Sequence, residues 1–204
     1  MPNRRRAFLI LASLVLLALA SFWAALAAGS IPVAATDVLA ALLGQDAPGA
    51  DIVRQLRLPR ALAGFACGGL LAVAGALMQV LLRNPLADPY ILGISGGAGA
   101  GALFAIMVGL PTLGIDGLAF AGALGAMLLV FGLAHGDGSW TQTRLLLTGV
   151  IVAAGCGALI SLMLAIAPED RLRGMLFWLT GDLGQAASAW PPMLALAVAL
   201  VLAM

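Results

Sequence analysis

Five stretches of this chain, 7–28, 61–82, 90–110, 117–134 and 145–167, contain no Asp, Glu, Lys, Arg or His. A helix rising about 1.5 Å per residue needs roughly 20 apolar residues to cross a ~30 Å hydrocarbon layer, and each stretch has about that length. Lipid offers the backbone no hydrogen-bond partners, so each segment must satisfy its own amides, which a helix does. The chain therefore reads as an all-α polytopic membrane protein. Composition agrees: 9% of residues are charged and 63% hydrophobic, whereas a soluble domain carries about 25% charged residues.

A sixth apolar run opens at Trp190-Pro191-Pro192, a good helix start because proline lacks only an amide that would be unpaired there. It reaches Met204 after about 20 Å, short of the hydrocarbon thickness. The expectation is a single membrane domain over 1–204, with five complete spans, part of a sixth, and a chain that stops in mid-membrane. Arg4, Arg5 and Arg6 precede the first run, and Ala27-Ala28-Gly29 has the small residues of a cleavage site. The apolar core exceeds the 7–15 residues usual in a signal peptide, which favours a retained anchor.

The sequence has no Lys, one His and two Cys. A Walker A loop needs its Lys on the phosphates and a Schiff-base enzyme needs an amine, so the chain carries neither chemistry and any ATP is handled by a partner. Cys67, Cys156 and a lone His do not make four soft ligands, so no metal site or cofactor is expected. A net charge of +1 gives no basic surface for nucleic acid. Carriers driven by protons or ions place ionisable groups near the midplane. The five runs have none, which disfavours such a carrier but not a subunit driven by a separate ATPase.

The arginines split evenly between alternate connections: Arg4, Arg5, Arg6, Arg83 and Arg144 against Arg54, Arg57, Arg60, Arg171 and Arg173. The first helix usually dominates orientation, and its three arginines place the N-terminus in the cytoplasm. The second group then faces outward, against the usual rule, as charges suited to docking an acidic protein or as solvated loop charges. The stretches 31–44 and 168–185 each read as a short helix on that outer surface, the second with Trp178 at the interface.

Small residues recur at four-residue spacing in three rows: Gly64, Gly68, Ala72 and Ala76; Gly93, Gly97 and Gly101; Gly149, Ala153 and Gly157. Such rows let helix backbones approach closely in lipid. Gln79 is the most polar residue inside a span and should line a pathway or bridge two helices. Between the second and third spans, Arg83-Asn84-Pro85-Leu86-Ala87-Asp88-Pro89 predicts an ordered, non-helical cytoplasmic hinge. The glycines and Ser95 that follow let the next helix start close to its neighbours.

These residues also carry a resemblance. Leu58-Pro59-Arg60 into Gly64, the run GGLLAVAGALMQVLLRNPLADPYILGISGGAGAGA from Gly68 to Ala102, RLLLTGV from Arg144 and FWLTGDL from Phe177 together resemble the FecCD/BtuC-like permeases of type II ABC importers. The resemblance implies a homodimeric permease of the bacterial inner membrane with its path at the subunit interface. Two cytoplasmic ATPase subunits and a periplasmic binding protein are its implied partners. The implied cargo is a metal chelate, a ferric siderophore first, with cobalamin or haem as alternatives. It further implies that Arg57 and Arg60, with Arg54 nearby, dock the binding protein. Asn84, Pro85 and Leu86 would form a cytoplasmic constriction, with Thr141, Gln142 and Thr143 as a second gate segment. The family fold has about ten spans in two inverted repeats, so its second repeat and ATPase-coupling loop are expected to be absent from this chain.

A reading from another class stays open at this point. Gly93-Ile94-Ser95-Gly96 also fits the GxSG of rhomboid intramembrane proteases, with His135 as the partner base. His135 lies in a polar loop rather than in a helix, where holding the Ser95 hydroxyl away from bulk water would be difficult. A scaffold that conducts nothing is the third reading.

Overall fold

The computed structural model describes residues 4–135, 141–184 and 190–203, and every regular element among them is helical. In order these are α1 (Arg4–Ala27), α2 (Ala35–Leu42), a π turn (Ile52–Arg57) running directly into α3 (Leu58–Leu81), a 3-10 turn (Pro89–Leu92), α4 (Ile94–Val108), α5 (Thr112–Ala134), α6 (Gln142–Ile166), α7 (Glu169–Thr180) and α8 (Trp190–Ala203). Four helices among the described residues are long and apolar enough to cross a membrane: Arg4–Ala27, Ile52–Leu81, Thr112–Ala134 and Gln142–Ile166.

The third expected span differs. The run 90–110 is divided at Gly93, whose φ of 69° ends the 3-10 turn and starts α4. The helix stops at Gly109, also left-handed, so it has 15 residues and a length of about 22 Å, less than the hydrocarbon thickness. Apolar composition marked where the chain is dry, and the two glycines set where it is helical. The fourth span begins earlier than expected, at Thr112 after Pro111, and so takes in Asp116, a charge the uncharged run had excluded. Asp116 lies just past the first turn of α5 and is exposed, close enough to the helix end for its carboxylate to reach the membrane–water interface. The first expected surface helix is also shorter than 31–44: its proline precedes an extended Ala34, and Gly44 at φ 83° follows its end.

The chain forms two compact units, one of Met1–Leu70 with Leu183–Met204 and one of Leu71–Asp182. In the first, Leu26, Val33, Val38, Ala41, Ala50 and Val53 make a small apolar cluster where α1, α2 and the π turn meet. Leu26 is the one buried residue of α1, so within this unit that helix is anchored near its C-terminal end. A Cβ on Gly69 of α3 would lie 2.9 Å from the Leu196 side chain of α8.

In the second unit α4 lies against α5, α6 and α7. Its glycines point to different neighbours: Gly97 meets the carbonyl of Gly122 and Gly101 that of Leu118 on α5, while Gly96 packs on Cys156 and Gly99 on Ile160 of α6. With no side chains between them, backbones can touch and form weak Cα–H···O contacts, the attraction available between helices in lipid.

Candidate functional site

Two groups of the singled-out residues have defined geometry, one in each unit. In the second unit α3 ends at Leu81, and the chain leaves it through buried Leu82 and Arg83, a non-glycine residue at φ 45°. The Asn84 amide donates to the Gln79 carbonyl at 3.1 Å, and the Ala87 amide donates to the Asn84 carbonyl at 3.1 Å. The Asn84 side-chain Oδ1 accepts from the Leu86 amide at 2.9 Å, an Asx turn that mimics a backbone turn. Asp88 Oδ1 then accepts from the Tyr90 amide at 2.8 Å and caps the 3-10 turn, with Pro89 at its first position.

The turn is thus held by its own polar groups and anchored by Ala87 and Leu92. Both are buried with Met78, Leu82, Ala126, Val130, Ala134, Leu145 and Val152. Leu145 follows Thr141, Gln142 and Thr143, so one apolar cluster brings the two expected gate segments to the same end of this unit. Thr141 caps α6 by accepting the Arg144 amide at 3.3 Å. All three of those residues are exposed, as are Asn84 and Pro85, and Leu86 stands 86% exposed at the tip of its turn.

Replacing Asn84 by alanine should cost about 1 kcal/mol, the net value of one intramolecular hydrogen bond. Aspartate keeps the acceptor and should cost less than half of that. Thermal unfolding of the two variants in detergent checks the difference, and equal losses would remove the side-chain bond as the cause.

The first unit holds the arginines. Arg54 donates from Nε to the Ala41 carbonyl and from Nη2 to the Gln45 carbonyl, each at 2.7 Å. Arg57 donates from Nη1 to the carbonyls of Leu26 and Ala27, each at 2.8 Å, and from Nη2 to that of Ile31. Arg60, one turn on, is exposed and donates once, from Nη2 to the Gly184 carbonyl at 3.2 Å. Arg57 and Arg60 border an open cavity of about 550 Å³ whose apolar wall includes Ala25, Ile52, Leu56 and Ala61.

Gln79 is exposed on α3 and Ser95 on the first turn of α4. Ser95 makes no hydrogen bond among the described residues, so its hydroxyl is not paired with His135 and the serine-protease constellation is not assembled. Gly93, Gly97 and Gly101 lie at helix contacts, against Ala153, Gly122 and Leu118 respectively. No group of three or more metal-ligating side chains occurs among the described residues.

Arg171 was grouped in the sequence with the outward docking or solvated loop charges; its Nη1 donates to the Ile106 carbonyl at the end of α4 at 3.3 Å and its Nε pairs with Asp170 at 3.1 Å. No local pattern signals this, because the carbonyl lies 65 residues away.

The known proteins most informative for this geometry are transport permeases. The chain is 42% identical over 172 residues to the achromobactin transport system permease protein CbrC of Dickeya dadantii, covering 82% of this chain and 49% of that protein. It is 46% identical over 141 residues to the ferric enterobactin transport system permease protein FepD of Escherichia coli, covering 65% and 40%. To the vitamin B12 import system permease protein BtuC of Salmonella newport it is 38% identical over 185 residues, covering 89% and 54%. Among solved structures, one of a metal-chelate type ABC transporter in an inward-facing conformation superposes with a TM-score of 0.72 at 28% identity, over 94% of this chain and 57% of that one. The chain spans about half the length of the curated relatives it matches. Residues 15–204 match the FecCD transport family, and on that match and these relatives the chain belongs to it.

Proposed function

We propose that this chain is membrane-spanning permease sequence of an ATP-driven ABC importer and that its cargo is a metal chelate, a ferric siderophore first. The observation that carries the reading is the family match over 15–204, together with the ordered turn at 83–92 on which its most specific motif falls. Achromobactin and ferric enterobactin stand in the names of two relatives and vitamin B12 in that of BtuC; the siderophore is placed first by the breadth of the family's usage, with cobalamin second and haem third.

The chain's own residues suit a passive channel moved by something else. Its long helices keep ionisable groups out of their middle, so no coupling ion is bound and released there. FecCD chains are transport subunits without catalytic activity, and the energy would come from cytoplasmic ATPase subunits. The rigid turn from Arg83 to Leu92 and the capped start of α6 would form the cytoplasmic constriction, with a second permease copy completing the path. With the N-terminus in the cytoplasm, Arg54, Arg57 and Arg60 lie at the outer end of α3. A periplasmic binding protein with an acidic face would dock there.

Disruption of this gene in its source cells tests the reading through uptake of radiolabelled ferric siderophore and of cobalamin. Loss of iron uptake with cobalamin uptake intact is the expected result. Loss of cobalamin uptake alone would transfer the cargo to the second choice, and unchanged uptake of both and of haem would overturn the importer reading.

A further inference from the structure

We propose that Arg83 and Arg144 form an anion-binding pair beside the turn from Asn84 to Leu86, and that the anion they receive is the cargo, a metal chelate carrying net negative charge. The inference rests on the importer reading and narrows its cargo by charge.

Each arginine stands where the local structure disfavours it. Arg83 follows α3 in a Schellman turn, its amide donating to the Val80 carbonyl at 3.2 Å and the Asn84 amide to that of Gln79 at 3.1 Å. The position takes a positive φ, 45° here, and glycine is its usual occupant because a Cβ is crowded in the left-handed region. A positive charge elsewhere in the same link would serve membrane orientation without that strain. Arg144 lies in the first turn of α6, three residues after its cap Thr141, where the positive end of the helix dipole repels a cation.

Nothing within the chain offsets either cost. Both side chains are exposed, and neither guanidinium makes a hydrogen bond or ion pair among the described residues. The one described carboxylate in the turn, Asp88, already accepts the Tyr90 amide. Leu82 and Leu145, the immediate sequence neighbours of the two arginines, are buried in one apolar cluster, so both guanidinium groups belong to the same end of this unit. A guanidinium fork matches pairs of anionic oxygens. Two unpaired forks beside the turn therefore suit a ligand with several such oxygens, as carboxylate and catecholate metal complexes have, over a neutral one.

Phenylglyoxal modification of the full chain in maltoside micelles, read per arginine by peptide mass spectrometry, tests this. Ferric enterobactin, a trianionic tris-catecholate, should slow modification of Arg83 and Arg144 about fivefold or more relative to equal ferrichrome, a neutral tris-hydroxamate. Arg4, also exposed, should be protected by neither. Equal protection of Arg4 would reduce the effect to general attraction and overturn the site. Phosphatidylglycerol added to the micelles should leave both rates unchanged; protection by this lipid as strong as by the chelate would assign the pair to headgroups instead. Arg83→Gly provides a second arm. Glycine relieves the left-handed strain, so this variant should melt higher than the unsubstituted protein while the chelate no longer protects Arg144. A lower melting temperature would mean that Arg83 serves the turn rather than a ligand. Absence of any preference for the trianion, with ferric siderophore uptake lost on gene disruption, would overturn the anion pair and leave the importer reading standing.

Discussion

Gly101→Leu is expected to prevent accumulation of folded protein in the membrane, the largest effect of any single substitution in α4. A Cβ on Gly101 would fall on the Leu118 carbonyl oxygen, one on Gly97 on that of Gly122, and one on Gly122 on that of Gly97. Each obstacle is backbone within a helix, so no side chain can rotate away. The two helices would have to part by on the order of 1 Å along their whole contact, losing dispersion contacts that fall steeply with distance. A single added methyl, as in Gly101→Ala, should cost about 1–3 kcal/mol, and leucine more than the 5–15 kcal/mol total of a typical fold can easily absorb. Gly125 on α5 has nothing within 4 Å of its Cβ position, so Gly125→Leu is the control and should be close to neutral. Membrane yield and thermal unfolding of the pair decide the matter, and equal behaviour of the two variants would refute the close contact.

Gly149→Val should loosen the gate turn. Its Cβ would meet the carbonyl of Ile91, and a Cβ on Gly93 would come 3.1 Å from the Ala153 amide nitrogen. The 3-10 turn therefore sits on the α6 backbone through two glycines, one from each partner. Valine adds two γ-carbons where one atom does not fit, at a cost of about 3 kcal/mol by the usual scale of overpacking. If this seat holds the turn, the exposed bond after Arg83 should open to trypsin, with cleavage at least tenfold faster than in the unsubstituted protein. Gly155 on α6 has open space at its Cβ position, and Gly155→Val should leave the cleavage rate within a factor of about two. A Gly149→Val protein cleaved no faster than this control would mean that the turn's own bonds, through Asn84 and Asp88, suffice to hold it.

How far each of these features could be read beforehand follows from the range of the interaction behind it. The gate turn was legible as an ordered break because its bonds are local: Asn84 to Leu86 and Asp88 to Tyr90 are each two residues apart. The row Gly93, Gly97, Gly101 announced close packing through its spacing alone, but not which helix each member would touch. Gly97 and Gly101 turned out to meet α5, whereas Gly93 is a left-handed joint against α6. The helical limits of the third span were not legible because hydropathy is blind to φ, and a glycine inside an apolar run counts the same whether it continues a helix or ends one. The arginines were the hardest. In the sequence Arg54, Arg57 and Arg60 are three equivalent charges at three-residue spacing, and only their contacts distinguish them.

By itself, then, the sequence determined the solvent, the helical class and the family, because a lipid-facing segment must be apolar along its full length and satisfy its backbone internally. Those are properties of single segments and of motifs whose bonds close within a few residues. The tertiary structure decided which glycines carry a neighbouring backbone, where α4 starts and stops, and which arginines are already committed to a helix end. Such assignments depend on carbonyls brought close from tens of residues away, and that proximity exists only once the helices have packed.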